Sequence, residues 1–239
     1  MNRAALFDLD GVLADSHQAM RSTLAGFATF HLGRRITPAD LPEDAAISSH
    51  EQVLADLGVT GTLNEEAWDA AAATATLAAT VFPYVPGTLT ALRAEGIATG
   101  LVTSRTRRRV PWLLEPAVLD LLDVIVCRDD APLKPAPDGI LLALQKLSVA
   151  PEDAVFLGDT ESDIRAGLAA GVTTLGAGWG FTSPERLLQA GAHRVLADPA
   201  EILPTALGPD RLLRLRAVQA DHGAERINDL ADLPARDDL

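Results

Sequence analysis

The sequence predicts an α/β protein: a doubly wound parallel sheet with an all-helical segment inserted after its first strand. Three observations predict it. From residue 84 onward, short apolar runs of strand character alternate with stretches of helical periodicity, the pattern of strands joined by crossover helices. The interval 16–83 carries helical spacing nearly throughout and interrupts that alternation. The chain has 239 residues, 48% of them hydrophobic, so it can bury a sizeable core in one large domain or two small ones. The expected division is a Rossmann-like core of residues 1–15 and 84–207, a helical insertion of residues 16–83, and an extension of residues 208–239 with a helix and an acidic tail.

The elements follow in order. Ala4-Ala5-Leu6-Phe7 reads as a buried strand, ending in Asp8-Leu9-Asp10-Gly11. A helix is expected from about His17 to His31, with apolar residues at Ala19, Met20, Leu24, Phe27 and Ala28. Thr37-Pro38 is a helix start, and a short helix runs from about Ser48 to Leu57, stopped by Gly58. Asn64 is the N-cap of an Ala-rich helix reaching about Thr80. No strand is expected between residues 16 and 83. After the break at Phe82-Pro83-Tyr84-Val85-Pro86-Gly87, a helix spans Thr88 to about Glu95 and a strand Ile97 to Val102. A helix carrying Arg107, Arg108 and Arg109 follows. Further strands are expected at Val124–Cys127, Ala154–Leu157, Val172–Leu175 and Val195-Leu196, with helices at Asp138–Leu147 and Ile164–Ala170. Asp210 to about Ala224 reads as an amphipathic helix, and Asp229 to Leu239 as a frayed acidic end.

Composition limits the function. A formal charge of −13 argues against nucleic-acid backbone or anionic lipid as the main partner. If the ligand is itself an anion, a local cation is required. Cys127 is the only cysteine, so no intrachain disulfide forms, and its apolar neighbours mark it as a buried strand residue rather than a nucleophile. No signal peptide and no run of membrane-spanning length is visible, so a cytoplasmic protein is expected, as a monomer or homodimer. Lysine occurs twice, at Lys134 and Lys146.

The chemistry begins with Asp8 and Asp10. Strand alternation puts both on one face where the chain turns, and two anions so close repel unless a cation lies between them. Mg²⁺ is the first expectation, as a hard, oxygen-seeking ion. In an open parallel sheet, ligands bind beyond the carboxyl ends of the strands. The strand ends here carry Asp8 and Asp10, then Thr103 and Ser104, then Lys134 a little downstream, then Asp159. A carboxylate nucleophile, a second acid to move the proton, a divalent ion, and hydroxyl and ammonium donors to phosphoryl oxygens are the parts that phosphoryl transfer needs. Arg105 follows Thr103-Ser104, and Arg107 to Arg109 lie in the next helical turn; one of them, Arg105 being the candidate, could meet a substrate anion, against the plain reading of the arginines as solvent-facing residues offsetting the acidic surface.

The order Asp8-Leu9-Asp10-Gly11-Val12, Leu101-Val102-Thr103-Ser104, Lys134-Pro135-Ala136-Pro137 and Gly158-Asp159-Thr160-Glu161-Ser162-Asp163 resembles the haloacid dehalogenase superfamily of phosphotransferases, over residues 4 to 203. The helical insertion resembles the small cap of one of its subfamilies. By that resemblance Asp8 is the nucleophile and Asp10 the general acid/base. Asp8, the backbone carbonyl of Asp10 and Asp159 bind Mg²⁺. Thr103 and Lys134 hold the phosphoryl oxygens. Asp163 either bonds Lys134 or helps the metal, and its spacing from Asp159 lets both face one site. His50 falls in an insertion segment that faces the substrate in relatives, against its plain reading as a surface histidine.

Departures from the family narrow the reaction. Dehalogenating members lack the second Asp, which is present here as Asp10. Phosphonate-cleaving members use an insertion lysine, and residues 16–83 contain none. Sugar phosphomutases resemble Gly-x-Ser-Arg in the insertion; Ile47-Ser48-Ser49-His50 lacks the Gly and the Arg, which weakens that alternative. Trp179-Gly180-Phe181 resembles a Trp-Gly-Tyr turn of phosphoglycolate phosphatases. The resemblance therefore implies a Mg²⁺-dependent phosphatase of a small phosphorylated metabolite. Receiver domains, the non-catalytic alternative, combine similar residues in a different order, with Lys last and no inserted helices.

Overall fold

The computed structural model describes residues 3–60 and 64–208. The helix expected from Asp210 and the acidic end lie outside the described residues. The first strand, β1 (Arg3–Phe7), is central. The chain then turns through a two-residue strand, β2 (Ala14–Asp15), into α1 (His17–Leu32), α2 (His50–Asp56) and α3 (Glu65–Thr76). It returns through β3 (Thr80–Val81), which pairs antiparallel with β2. The remainder alternates: α4 (Val85–Ala94), β4 (Ile97–Val102), α5 (Pro116–Leu119), β5 (Val124–Val126), α6 (Asp138–Leu147), β6 (Ala154–Gly158), α7 (Glu161–Ala169), β7 (Thr173–Ala177), α8 (Pro184–Gln189), β8 (Arg194–Leu196) and α9 (Ile202–Leu207).

Six strands form one parallel sheet in the order β5-β4-β1-β6-β7-β8. The strand order departs from chain order on both sides of β1, so a topological switch point lies at its carboxyl end. Registers align the three central strands: Phe7 pairs with Leu101 on one side and Leu157 on the other. Asp8, Thr103 and Asp159 therefore emerge within a residue or two of one another along three adjacent strands.

Alternation along β1 sorts the core into two layers. Ala5 and Phe7 pack with Val85, Leu89, Leu92 and Ile202 under α4 and α9. Ala4 and Leu6 pack with Ile140, Ala143, Leu144 and Ala166 under α6 and α7. The helical segment has its own apolar cluster, in which Leu24, Phe27 and Ala28 of α1 meet Val53 and Leu54 of α2 and Trp68 of α3. Among the described residues no helix is long and apolar enough to cross a membrane.

Several boundaries differ from expectation for identifiable reasons. Residues after β4 form a 3₁₀ turn, Arg107–Trp112, rather than an α-helix, because Pro111 cannot supply an amide to an α-helical ladder. Thr37-Pro38 starts only a three-residue 3₁₀ turn. The Ala-rich helix ends at Thr76, and Thr80-Val81 pairs with β2: tertiary pairing overrides local helix propensity. A strand of two residues is too short to leave a periodic signature. Helix α7 begins earlier than the apolar pattern suggests, at Glu161, because Thr160 and Asp163 form a capping box.

Candidate active site

Asp8 leaves the end of β1, buried, with its amide donating to the Leu157 carbonyl of β6 at 2.9 Å. Its Oδ1 accepts from Lys134 Nζ at 2.7 Å. The same ammonium pairs with Asp163 and lies 5.7 Å from the Phe156 ring centroid. Lys134 and Asp163 are 7% and 1% exposed, so this is an interior ion pair, not a surface one. Asp163 is fixed from below as well: its Oδ2 accepts from the Thr160 amide at 3.0 Å and hydroxyl at 2.6 Å. The capping box thus sets the acid that anchors the lysine.

Asp159 is fully buried. Its Oδ2 accepts from the Phe181 amide at 2.7 Å, while its Oδ1 has no hydrogen-bond partner among the described residues. Two glycines make room for it. A Cβ at Gly11, where φ is +75°, or at Gly180 would overlap the Asp159 side chain. Carboxylate oxygens of Asp8, Asp159 and Asp163 lie within 4.8 Å of one another. Three carboxylates thus face one ammonium. Burial, reinforced by Asp163 and Asp8, pushes Asp159 well above the usual carboxylate range. Burial likewise raises Asp8 to about 7 against the pull of Lys134, with Asp163 and Asp10 adding to the rise. Lys134 moves up: burial disfavours its charge, but Asp163 and Asp8 outweigh that. An orphaned buried oxygen, an excess of anions and an all-oxygen donor set fit a hard metal ion.

Asp10 is engaged differently. Its Oδ2 accepts from Arg105 Nε at 2.8 Å and its Oδ1 from Arg105 Nη2 at 2.7 Å, a bidentate fork. The Ser16 hydroxyl also donates to Oδ1. Burial opposes the charge on Asp10, yet Arg105 and Ser16 hold its carboxyl below the ordinary value. Ser16 stands at the N-cap of α1 but makes no capping bond, because its hydroxyl is spent on Asp10.

Thr103 is buried at the end of β4; its amide donates to the Val126 carbonyl at 3.0 Å and its Oγ1 accepts from the Arg105 amide at 3.1 Å. Ser104 is exposed at the rim of a small recess lined also by Thr103 and Lys134. His50 opens α2, stacks on Trp68 with ring centroids 5.1 Å apart, and lies within electrostatic range of Asp10, Arg105 and Arg128. Burial lowers its pKa, although Glu51 and Asp10 pull the other way. The helical segment therefore brings His50 toward the strand ends.

The arginine run corrects the sequence reading. Arg109 is buried, and it and Arg108 both pair with Asp69 of α3, while Arg107 pairs with Asp130 at 2.5 Å. These pairs tie loops and the helical segment to the core; Arg107 and Arg108 still face solvent as expected, and the correction falls on Arg109. Cys127 is buried as expected, one residue past β5. Ser16, Gly11, Gly180 and the Phe181 amide were not foreseen as site elements. The signals were present: a hydroxyl six residues past Asp10, a glycine directly after Asp10, and the Trp179-Gly180-Phe181 turn.

Fold and site define an α/β enzyme of the doubly wound class, with the site at the sheet's switch point. The description of the haloacid dehalogenase-like hydrolases matches residues 5–177, and the chain belongs to that family. A phosphoglycolate phosphatase of Pseudomonas putida is 29% identical over 238 residues, covering 93% of this chain and 86% of that one. The phosphoglycolate phosphatase of Escherichia coli K12 is 35% identical over 130 residues, 54% of this chain and 51% of that one, so that match spans about half of each. Among solved structures, a Lactobacillus plantarum protein provisionally named a phosphoglycolate phosphatase has a TM-score of 0.72 and 26% identity, covering 85% of this chain and 99% of that one. A family hydrolase from Deinococcus radiodurans, solved with bound phosphate and sodium, has a TM-score of 0.66 and 27% identity, covering 86% and 95%. A Thermotoga maritima protein provisionally named a β-phosphoglucomutase has a TM-score of 0.64 and 25% identity, covering 86% and 98%.

Proposed function

We propose that this chain is a Mg²⁺-dependent phosphatase that hydrolyses a small organic phosphate monoester, similar to phosphoglycolate, through a phosphoryl group carried on Asp8. The observation that carries the proposal is Lys134 held at 2.7 Å from Asp8 beside an Asp159 oxygen with no partner among the described residues. A nucleophilic carboxylate sits next to a fixed cation and to a place for a second one.

An oxygen of Asp8 attacks phosphorus, and the bond to the ester oxygen breaks. Asp10 gives its proton to that leaving oxygen, so an alcohol departs. Asp10 then takes a proton from water, which attacks phosphorus; the bond to Asp8 breaks and inorganic phosphate leaves. Lys134 and the Thr103 hydroxyl donate to phosphoryl oxygens throughout, where transition-state charge resides. Mg²⁺, which the side chains of Asp8 and Asp159 and the Asp10 backbone oxygen would hold with Asp163 behind them, supplies charge neutralisation and orientation. Residues 16–83 act as a cap that excludes bulk water, with His50 facing the substrate. Ser104 lies at the entrance.

The test is phosphate release from p-nitrophenyl phosphate and a panel of phosphorylated metabolites, with Mg²⁺ and with chelator. Mg²⁺-dependent release, lost in Asp8→Asn, supports the reading. A long-lived acyl phosphate without turnover would replace it with a phospho-acceptor role.

A further inference from the structure

The charges of the site balance before any substrate arrives. Four carboxylates, Asp8, Asp10, Asp159 and Asp163, face two cations. Lys134 is shared by Asp8 and Asp163, and Arg105 is held by Asp10. A divalent ion beside Asp159 brings this set to neutrality. A phosphate ester is close to a dianion at neutral pH, and the chain as a whole carries a formal charge of −13. Such an ester meets a neutral site on an anionic protein, so its capture calls for a cation that no carboxylate already holds.

The arginines that follow β4 are held. Arg107 pairs with Asp130, and Arg108 and Arg109 share Asp69. Arg128, the second residue after β5, differs: it is exposed, and its side chain makes neither a hydrogen bond nor an ion pair among the described residues. The acids next to it in the chain are turned elsewhere. Asp129 accepts from the Arg107 amide at 2.6 Å, and Asp130 from Arg107 Nη2 at 2.5 Å and the Cys127 amide at 2.7 Å. Arg128 is nevertheless part of the site. Its amide donates to the Arg105 carbonyl at 3.0 Å, and the residue lines the recess formed with Thr103, Ser104 and Lys134. Its charge also reaches His50 at the start of α2, which puts it near the mouth between the strand ends and the helical segment.

We propose that Arg128 is a substrate-capture residue, whose unpaired guanidinium supplies the local positive field that draws a phosphate dianion into the site. The proposal rests on the phosphatase reading and adds to it the residue that offsets the acidic chain. Three properties follow from the placement. Arg128 acts through its charge at a distance, not through a fitted fork, so another cation can replace it. It attracts ground state and transition state alike, so it lowers KM and leaves kcat alone. It is exposed, so salt screens it.

The probe is p-nitrophenyl phosphate, whose only anion is the phosphoryl group, turned over with saturating Mg²⁺ at about 0.05 M and about 1 M ionic strength, where charges are screened beyond about 14 Å and about 3 Å. At the lower salt, Arg128→Ala should reduce kcat/KM about 3- to 10-fold and Arg128→Glu about 10- to 100-fold, through KM, with kcat within about twofold of native. Arg128→Lys should stay within about twofold of native throughout. At the higher salt all four proteins should converge. Arg34→Ala removes the same charge beyond the far end of α1, a helix about 24 Å long, and should change nothing. A loss in Arg128→Ala that Arg34→Ala reproduces, that persists undiminished at the higher salt, or that falls on kcat overturns the proposal. Calorimetric titration of inorganic phosphate into the same proteins with Mg²⁺ reads capture without turnover, and Arg128→Glu should weaken it about 10-fold or more at the lower salt. Failure of the phosphatase reading shows separately, as no Mg²⁺-dependent phosphate release by the native protein, while the phosphate titration still decides the role of Arg128.

Discussion

The strand ends of the core and the helical segment opposite them contribute to one site, but they hold their residues in different ways. Asp8, Thr103 and Asp159 stand on three adjacent parallel strands, and each has backbone partners that fix it. The helical segment is joined to the core by two paired two-residue strands and by Asp69 reaching Arg108 and Arg109. It packs on its own apolar cluster. On the proposed function, groups that handle the phosphoryl moiety are placed by the rigid sheet, and His50 belongs to a segment whose tether is the β2–β3 ribbon, the Asp69 pairs and the packing of Ala79, Val81 and Phe82 on the core. The contrast explains how chemistry stays constant while specificity varies.

Removing the proposed nucleophile tests the core side most severely. Asp8→Asn should lower phosphate release by about four orders of magnitude or more, the scale for losing a covalent catalyst. Circular dichroism should stay native, because Lys134 keeps Asp163. Substantial turnover in this variant would move the chemistry away from the strand ends. Gly180→Ala probes the same rigidity without touching a reacting group. The added methyl overlaps Asp159, so the orphaned oxygen must shift. The Mg²⁺ concentration for half-maximal rate should rise by about 10- to 100-fold, the usual effect of disturbing a ligand's support. An unchanged Mg²⁺ requirement would show that Asp159 is not a ligand.

What was legible in the sequence follows the same division. β4 and α6 fall where the pattern predicts, and so do the acidic strand ends, because buried strands and their carboxyl-end turns leave dense local signals. Contacts between distant segments left none. Arg109 and Asp69 are 40 residues apart, and nothing near either marks the pair. Arg105 carries the right charge for a substrate anion, but its grip on Asp10, 95 residues away, depends on β4 lying beside β1. The short β2–β3 ribbon was hidden because its residues sit beside strong helix formers.

Mg²⁺ and pH together sharpen the electrostatic side of the contrast. In the metal-free protein Asp8 titrates near 7 instead of 3.8, so the folded state binds more protons than the unfolded chain between those values. Stability contributed by this site is then present at low pH and drains away as pH rises from about 4 to about 7. Mg²⁺ competes with the same protons. The rise in melting temperature on adding Mg²⁺ should therefore be larger at pH 8 than at pH 5, read by thermal denaturation against a chelator control. Asp69→Ala should keep this pH dependence unchanged, since Asp69 lies outside the carboxylate cluster.

Asp69→Ala is also the smallest and most discriminating change. It removes the anion shared by Arg108 and Arg109, of which Arg109 is buried and Arg108 largely exposed. The cost falls on how the helical segment sits against the core, not on the strand ends. A loss of about 1 kcal/mol in that closure corresponds to a roughly fivefold rise in KM, with kcat changed less. The Mg²⁺ requirement should be unaltered. If kcat and the Mg²⁺ requirement moved together with KM, the helical segment would be part of the rigid catalytic frame, and the separation between a fixed phosphoryl site and a separately tethered recognition face would not hold.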